Sequence, residues 1–327
     1  EVCMVFFFTS VGFQANLKVL RSGGKSLILF LFLVIALIVS QNLLAVGIAK
    51  LLGLSPLVGM CTGSIPMVGG HGTAGAFGPV LEEAGVAGAN AVAIASATFG
   101  LVAGCVIGGP LAYRRIHSLN LKSTETATGS DEVTVDKNEV TGAIDSRRFL
   151  DSALYLAIAI GAGTIVSLFL NKLMTFPSYI GAMVVAAIIR NVVDATHKDM
   201  PMEEISTIGS FSLSLFLGLA MMGLKLWQLA ELALPMIVML AAQTVLMAIF
   251  AYFVVFNLLG KNYDAAVMTS GFCGFGMGAT PNAMANMQAI TAKYGPAPTA
   301  YFVVPLVGSL FIDFFNALII TTFMNFL

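Results

Sequence analysis

Long apolar runs alternate with short polar breaks along this chain, and eight of the runs approach the ~20 residues that a bilayer-crossing helix needs. They fall at about 1–17, 26–52, 88–112, 150–170, 177–193, 205–223, 232–259 and 299–325. Each predicts a helix, because a segment in hydrocarbon has to pair its amides and carbonyls internally. Two further segments, 55–85 and 263–292, are apolar but too dense in glycine and proline to cross as single helices. The first holds Gly63-Ser64-Ile65-Pro66-Met67-Val68-Gly69-Gly70-His71-Gly72-Thr73 and continues to Gly78-Pro79; the second holds Gly271-Phe272-Cys273-Gly274-Phe275-Gly276-Met277-Gly278-Ala279-Thr280-Pro281-Asn282. The pattern predicts two re-entrant hairpins, each entering and leaving on one face and wrapped in protein or lining an aqueous cavity. Matching interruptions in two halves of a membrane chain point to a transporter's binding site.

Composition strengthens the membrane reading. Apolar residues make up 58% of 327 and charged residues 10%, with a mean hydropathy of +0.92. That much apolar surface excludes a soluble domain; the net charge of −1 is uninformative by itself, and no nucleic-acid partner is expected. Cys3, Cys61, Cys105 and Cys273 lie in apolar or glycine-rich stretches without paired spacing, so they read as free, small hydrophobes. The long polar stretch 114–148 reads as a flexible linker. With it in the cytoplasm and sides alternating, only Lys50, Lys172 and Lys225 of the sixteen Lys and Arg fall outside. Lys18, Arg21, Lys25, Arg114, Arg115, Lys122, Lys137, Arg147, Arg148, Arg190, Lys198, Lys261 and Lys293 fall inside, as the positive-inside rule requires.

This topology inserts the two hairpins from opposite faces, so the halves are inverted repeats. Residues 1–112 form the first repeat with hairpin 55–85, 113–149 the cytoplasmic linker, and 150–327 the second repeat with hairpin 263–292. Gln41 answers Gln243, and Gly69-Gly70-His71-Gly72 answers Gly274-Phe275-Gly276-Met277. By symmetry the first half is expected to have two further helices upstream, giving ten in the intact protein. The predicted fold class is an all-α polytopic membrane protein with two inverted-topology repeats.

Gly69-Gly70-His71-Gly72-Thr73 and the run from Cys273 to Met287 resemble the hairpin signatures of the bacterial sodium/glutamate symporter family. Gly12-Phe13-Gln14-Ala15-Asn16-Leu17 and the basic turn Arg21-Ser22-Gly23-Gly24-Lys25 resemble the same family. The resemblance implies a non-enzymatic, sodium-coupled carrier of L-glutamate in the bacterial inner membrane. It also implies a homodimer of elevator type, in which a transport domain moves against a dimerising scaffold. Na+ is the co-transported ion, and no organic cofactor is expected.

A glutamate site has to offer donors to two carboxylates and acceptors to one ammonium. Helix N-termini inside the hairpins present free N–H groups and the positive dipole end, and glycine lets ligand approach the backbone. The candidate substrate residues are therefore Gly70, His71, Gly72, Thr73, Gly274, Gly276, Gly278, Thr280 and Asn282. Thr280 is expected as an N-cap and Pro281 as the first helical residue. Carbonyls freed by the glycine segments are expected to bind Na+, with Thr73, Asn282, Asn286, Asp313 or Asn316. Asp313 lies mid-span, where a charge marks function; it reads as an ammonium partner or sodium ligand, with a packing hydrogen bond as the alternative. Arg190 reads as a carboxylate partner or as a cytoplasmic anchor, and His71 as a substrate contact or a structural histidine. Gly100, Gly104 and Gly108 form a stripe that suits close helix packing.

Three rival classes compete with this reading. A channel filter needs its loop repeated about one pore axis, which two inverted and dissimilar loops do not offer. An intramembrane protease needs Gly-x-Ser-Gly, His-Glu-x-x-His or paired mid-span aspartates, and the chain has none. A carrier of the same architecture for citrate-like anions, or a sodium/proton exchanger, stays open.

Overall fold

The computed structural model describes residues 2–17, 24–123, 146–172, 178–196, 200–222 and 227–327. Lys18, Arg21, Lys137, Lys198, Lys225 and most of the linker therefore lie outside the described residues. The secondary structure within them is helical. In chain order the elements are α1 Val2–Gln14, α2 Gly24–Leu51, α3 Pro56–Met60, α4 Gly70–Glu83, α5 Ala89–Ser118, α6 Ser146–Leu170 and α7 Ser178–Ala195. There follow α8 Met202–Met222, α9 Trp227–Ile249, α10 Tyr263–Gly276, α11 Thr280–Tyr294, α12 Pro298–Leu310 and α13 Ile312–Phe326. α9 runs on through a π-helical stretch, Phe250–Val255, into Phe256–Leu258.

Among the described residues four stretches are long and apolar enough to cross a membrane singly: Gly24–Leu51, Ala89–Ser118, Arg147–Leu170 and Leu232–Leu258. They make this a membrane protein. α7 carries Arg190 and Asp194, and α8 begins with Glu203 and Glu204, so neither is uniformly apolar. The last predicted span, 299–325, is not one helix. It breaks at Phe311 into α12 and α13, which meet at 46°. Pro305 and the Gly308-Ser309 pair just ahead are the residue types at which helices kink.

Two helical bodies pack side by side. In the first, α6, α7 and α8 gather around α1, with a small core of Phe13, Leu156, Val185, Ala186 and Ile205. In the second, α2, α5, α9, α12 and α13 surround both glycine-rich segments. The two bodies touch through α4 against α8, α1 against α12 and α13, and α7 against α13. Phe8 of α1, Phe77 of α4 and Tyr179 of α7 join at this seam, with Phe8 stacked on Tyr179 at 4.3 Å.

Side chains in α5 are sorted by size rather than polarity. Gly100, Gly104 and Gly108 are buried, while Val102 and Val106 are each 63% exposed on the other side. A Cβ at Gly104 would stand 2.8 Å from Cys273 O, and one at Gly100 would run into Met277 O. The stripe therefore brings α5 against the backbone of α10 and its following turn, as in small-residue membrane packing.

Candidate functional site

Each glycine-rich segment yields a long second arm whose N-terminus has no side-chain cap. In the second segment, Asn262 caps α10 by accepting from Ala265 N at 2.8 Å. α10 ends at Gly276, and α11 begins at Thr280. The expected cap at Thr280 is corrected to Ala279, which is extended and offers its carbonyl to Ala283 N at 3.2 Å. Accepting that first helical bond is what defines the capping position. Thr280 thus falls inside the helix, with Pro281 behind it, and the methyl of Ala279 caps nothing. In the first segment α3 gives way to turns over 61–69, and α4 starts at Gly70 with no side-chain cap at Gly69.

The two tips meet. Gly70 has φ +57°, a left-handed conformation that favours glycine. A Cβ there would stand 2.9 Å from Gly278 O of the other tip. Around this contact opens a cavity of about 370 Å³. Gly69, Gly70, His71 and Gly72 line it from the start of α4; Gly278, Ala279, Thr280 and Pro281 line it from the start of α11. Asp313 reaches it from the first turn of α13, where the helix dipole favours a carboxylate. Phe7 of α1 and Leu213 of α8 close it from the other helical body. His71 Nε2 lies 3.0 Å from Thr98 Oγ1, whose own hydrogen goes to Ile94 O at 3.1 Å. With the Thr98 hydrogen so placed, the tautomer that fits is the one protonated on Nε2, donating to Thr98.

Of the residues expected from the sequence, Gly70, His71, Gly72, Gly278, Thr280 and Asp313 line the cavity. Thr73 is buried one turn into α4. Gly274 faces α11, where a Cβ would stand 2.7 Å from Asn282 O, and Gly276 faces Leu37 and Met247. Arg190 lies on α7, its Nε 3.0 Å from Asp194 Oδ2, and does not line the cavity. Phe7, Leu213 and Gly308 line it without having been singled out, because only tertiary packing brings α1 and α8 to the tips. Gly308, beside Pro305 in an apolar span, did carry a readable signal of a break.

The asparagines and glutamines hold the tips rather than line the cavity. Gln41 Nε2 donates to Gly276 O, and Gln243 Nε2 donates to Gln41 O, both at 2.8 Å. Asn282 Nδ2 donates to Leu101 O at 3.0 Å. Asn286 Nδ2 bridges Gly104 O and Ser270 O at 3.0 and 3.1 Å. Asn316 Nδ2 donates to Ser64 O at 3.3 Å. Each glycine-rich segment is thereby bound to a helix of the other half: the first to α13, the second to α5.

A family model described as sodium/glutamate symporter matches residues 1–296. The chain belongs to the sodium/glutamate symporter family. That is a family of transporters, not of enzymes. The sodium/glutamate symporter of Escherichia coli (strain K12) is 44% identical over 328 residues, covering 98% of this chain and 81% of the relative. Its counterpart in Haemophilus influenzae is 37% identical over 322 residues, covering 96% of this chain and 79% of the relative. No solved structure matches. In this member of the sodium/glutamate symporter family, the cavity, the two uncapped N-termini and Asp313 form the candidate site.

Proposed function

We propose that the protein imports L-glutamate coupled to Na+ entry, as an elevator-type secondary transporter of the bacterial inner membrane. The observation that carries this reading is the cavity between the tips, where two uncapped helix N-termini and one carboxylate face the same space. Its volume lies at the small end of the ~300–1,000 Å³ typical of ligand pockets, suited to a single amino acid. The first-turn N–H groups of α4 and α11 take the two glutamate carboxylates, helped by the helix dipoles. Asp313 takes the ammonium. Family membership and relatives named as sodium/glutamate symporters support both the substrate and the ion.

The two glycine-rich segments act as re-entrant hairpins inserted from opposite faces, within inverted repeats at 1–112 and 150–327 joined by a cytoplasmic linker at 113–149. The crossed bonding supports this, since Asn316 of the second half holds Ser64 and Gly104 of the first half receives Asn286. The body holding both hairpins is the transport domain, and it moves against the body of α1, α6, α7 and α8 within a homodimer. The apolar wall of Phe7 and Leu213 lets the hairpins slide past without breaking polar bonds. Among the described residues no three His, Cys, Asp or Glu side chains cluster. Sodium accordingly uses carbonyl, hydroxyl and amide oxygens, with Asp313 the nearby charge.

Uptake of radiolabelled L-glutamate into proteoliposomes, with and without an inward Na+ gradient, tests the proposal. Accumulation only with the gradient is expected. Equal uptake without sodium, or uptake of citrate in place of glutamate, would overturn the ion or the substrate respectively.

A further inference from the structure

The opening stretch of the first hairpin contains a second polar centre, apart from the cavity lining. Ser64 sits among the turns of 61–69 and is wholly buried, as are Asn42 of α2 and Asn316 of α13. The two amides grip the two sides of Ser64. Ser64 N donates to Asn42 Oδ1 at 2.8 Å, and Asn316 Nδ2 donates to Ser64 O at 3.3 Å. Glycine at 63 permits this, because a Cβ there would stand 2.6 Å from Asn42 Oδ1. With these bonds made, Ser64 Oγ and Asn316 Oδ1 have no protein partner, and neither has Asn42 Nδ2.

Unpartnered buried acceptors are costly, at about 1–3 kcal/mol each. Two of them on residues already bonded to each other call for a ligand that coordinates oxygen. The centre has no carboxylate of its own, whereas calcium and magnesium sites draw on carboxylates. A monovalent hard cation fits the donor set better. A sodium ion that keeps one water has the chemistry to satisfy all three atoms, the two oxygens as ligands and the water as acceptor for Asn42 Nδ2. Asp313 precedes Asn316 by three residues, on the same side of α13. One turn of helix thus separates the residue facing the substrate cavity from the residue facing this centre.

We propose that Ser64 and Asn316 hold a co-transported sodium ion, with Asn42 fixing the Ser64 peptide. The inference rests on the transport reading above and gives it a coupling route. The ion ties the first hairpin to α13, and α13 presents Asp313 to the substrate, so sodium sets two walls of the cavity without touching glutamate.

The experiment is sodium titration of the purified full-length protein at constant ionic strength, read as thermal stabilisation, alongside glutamate binding at saturating sodium. Ser64→Ala and Asn316→Ala should each raise the half-saturating sodium concentration tenfold or more. Glutamate affinity at saturating sodium should stay within threefold in Ser64→Ala, which keeps both backbone bonds of residue 64, and Ser64→Thr should restore the sodium response. Half-saturation within twofold of wild type in both alanine variants would overturn the site and leave it a buried water or a packing contact. If the alanine variants do not fold, Ser64→Cys keeps the size and replaces a hard oxygen with a soft sulfur. An unchanged sodium response in that variant overturns the site equally. No sodium response in wild type would overturn the transport reading itself, a different outcome from losing only the location.

Discussion

Gly104→Ala against Gly47→Ala gives a controlled test of how α5 meets the second glycine-rich segment. Both residues lie inside long helices, Gly104 on α5 and Gly47 on α2, so the gain in helix propensity, about 0.8–1 kcal/mol for Gly→Ala, is common to both and cancels in the comparison. Their surroundings differ. A Cβ at Gly104 would stand 2.8 Å from Cys273 O and 3.3 Å from Met277 Cβ, while one at Gly47 meets nothing within 4 Å. The obstacle at Gly104 is backbone, which cannot rotate away as a long side chain can. The α10–α11 segment must recede by several tenths of an ångström, loosening the bond from Asn286 Nδ2 to Gly104 O. Overpacking of this kind costs about 1–3 kcal/mol. Gly104→Ala should therefore be less stable than Gly47→Ala by about that amount. Scanning fluorimetry in detergent checks it, with an expected gap of at least about 2 °C from the usual conversion of free energy to melting temperature. Glutamate uptake should fall in the first variant only. Equal melting temperatures, or equal loss of uptake in both, would refute the close packing of α5 on α10 and its following turn.

Three further outcomes follow from the site. Asp313→Asn should weaken glutamate at least about tenfold, a loss of ~1.4 kcal/mol of ammonium pairing, while glutarate, which has no ammonium, should compete almost as well as before; competition binding reads both. Gln41→Leu removes the donor to Gly276 O, and one unmet buried carbonyl should cost about 1–3 kcal/mol of stability, measured by thermal unfolding, with slower uptake. Arg190→Gln should leave the glutamate KM within about twofold, because that side chain pairs with Asp194 away from the cavity; a tenfold rise in KM would place a carboxylate partner there after all.

The cavity was legible wherever backbone chemistry decided it. Gly70 sits at its tip because only a residue without a side chain can come this close to Gly278 O, and Pro281 marked the start of α11 to within one residue. The same reasoning misjudged Gly274 and Gly276, whose missing side chains admit α11 and the side chains of α2 and α9 rather than ligand. Spacing along a glycine-rich loop does not reveal which way each Cα faces. Asp313 was read as mid-span, and the break at Phe311 makes it a first-turn residue of α13. Apolar periodicity is blind to such a break, because both pieces are equally hydrophobic. Phe7 and Leu213 were unreadable for a different reason: nothing local distinguishes them from other apolar residues on α1 and α8.

The bond from Asn316 to Ser64 joins residues 252 positions apart. At ~5–20 residues per second of synthesis, α13 leaves the ribosome about 13–50 s after the segment it must hold. For that interval Ser64 O keeps its local bond from Gly69 N at 3.0 Å but lacks its asparagine partner. The turns of 61–69 then favour a wet or proteinaceous site over lipid, where unpaired backbone is costly, until α13 arrives. A nascent chain stalled before α13 should stay bound there instead of partitioning into lipid, so the order of translation sets when the first glycine-rich segment is complete.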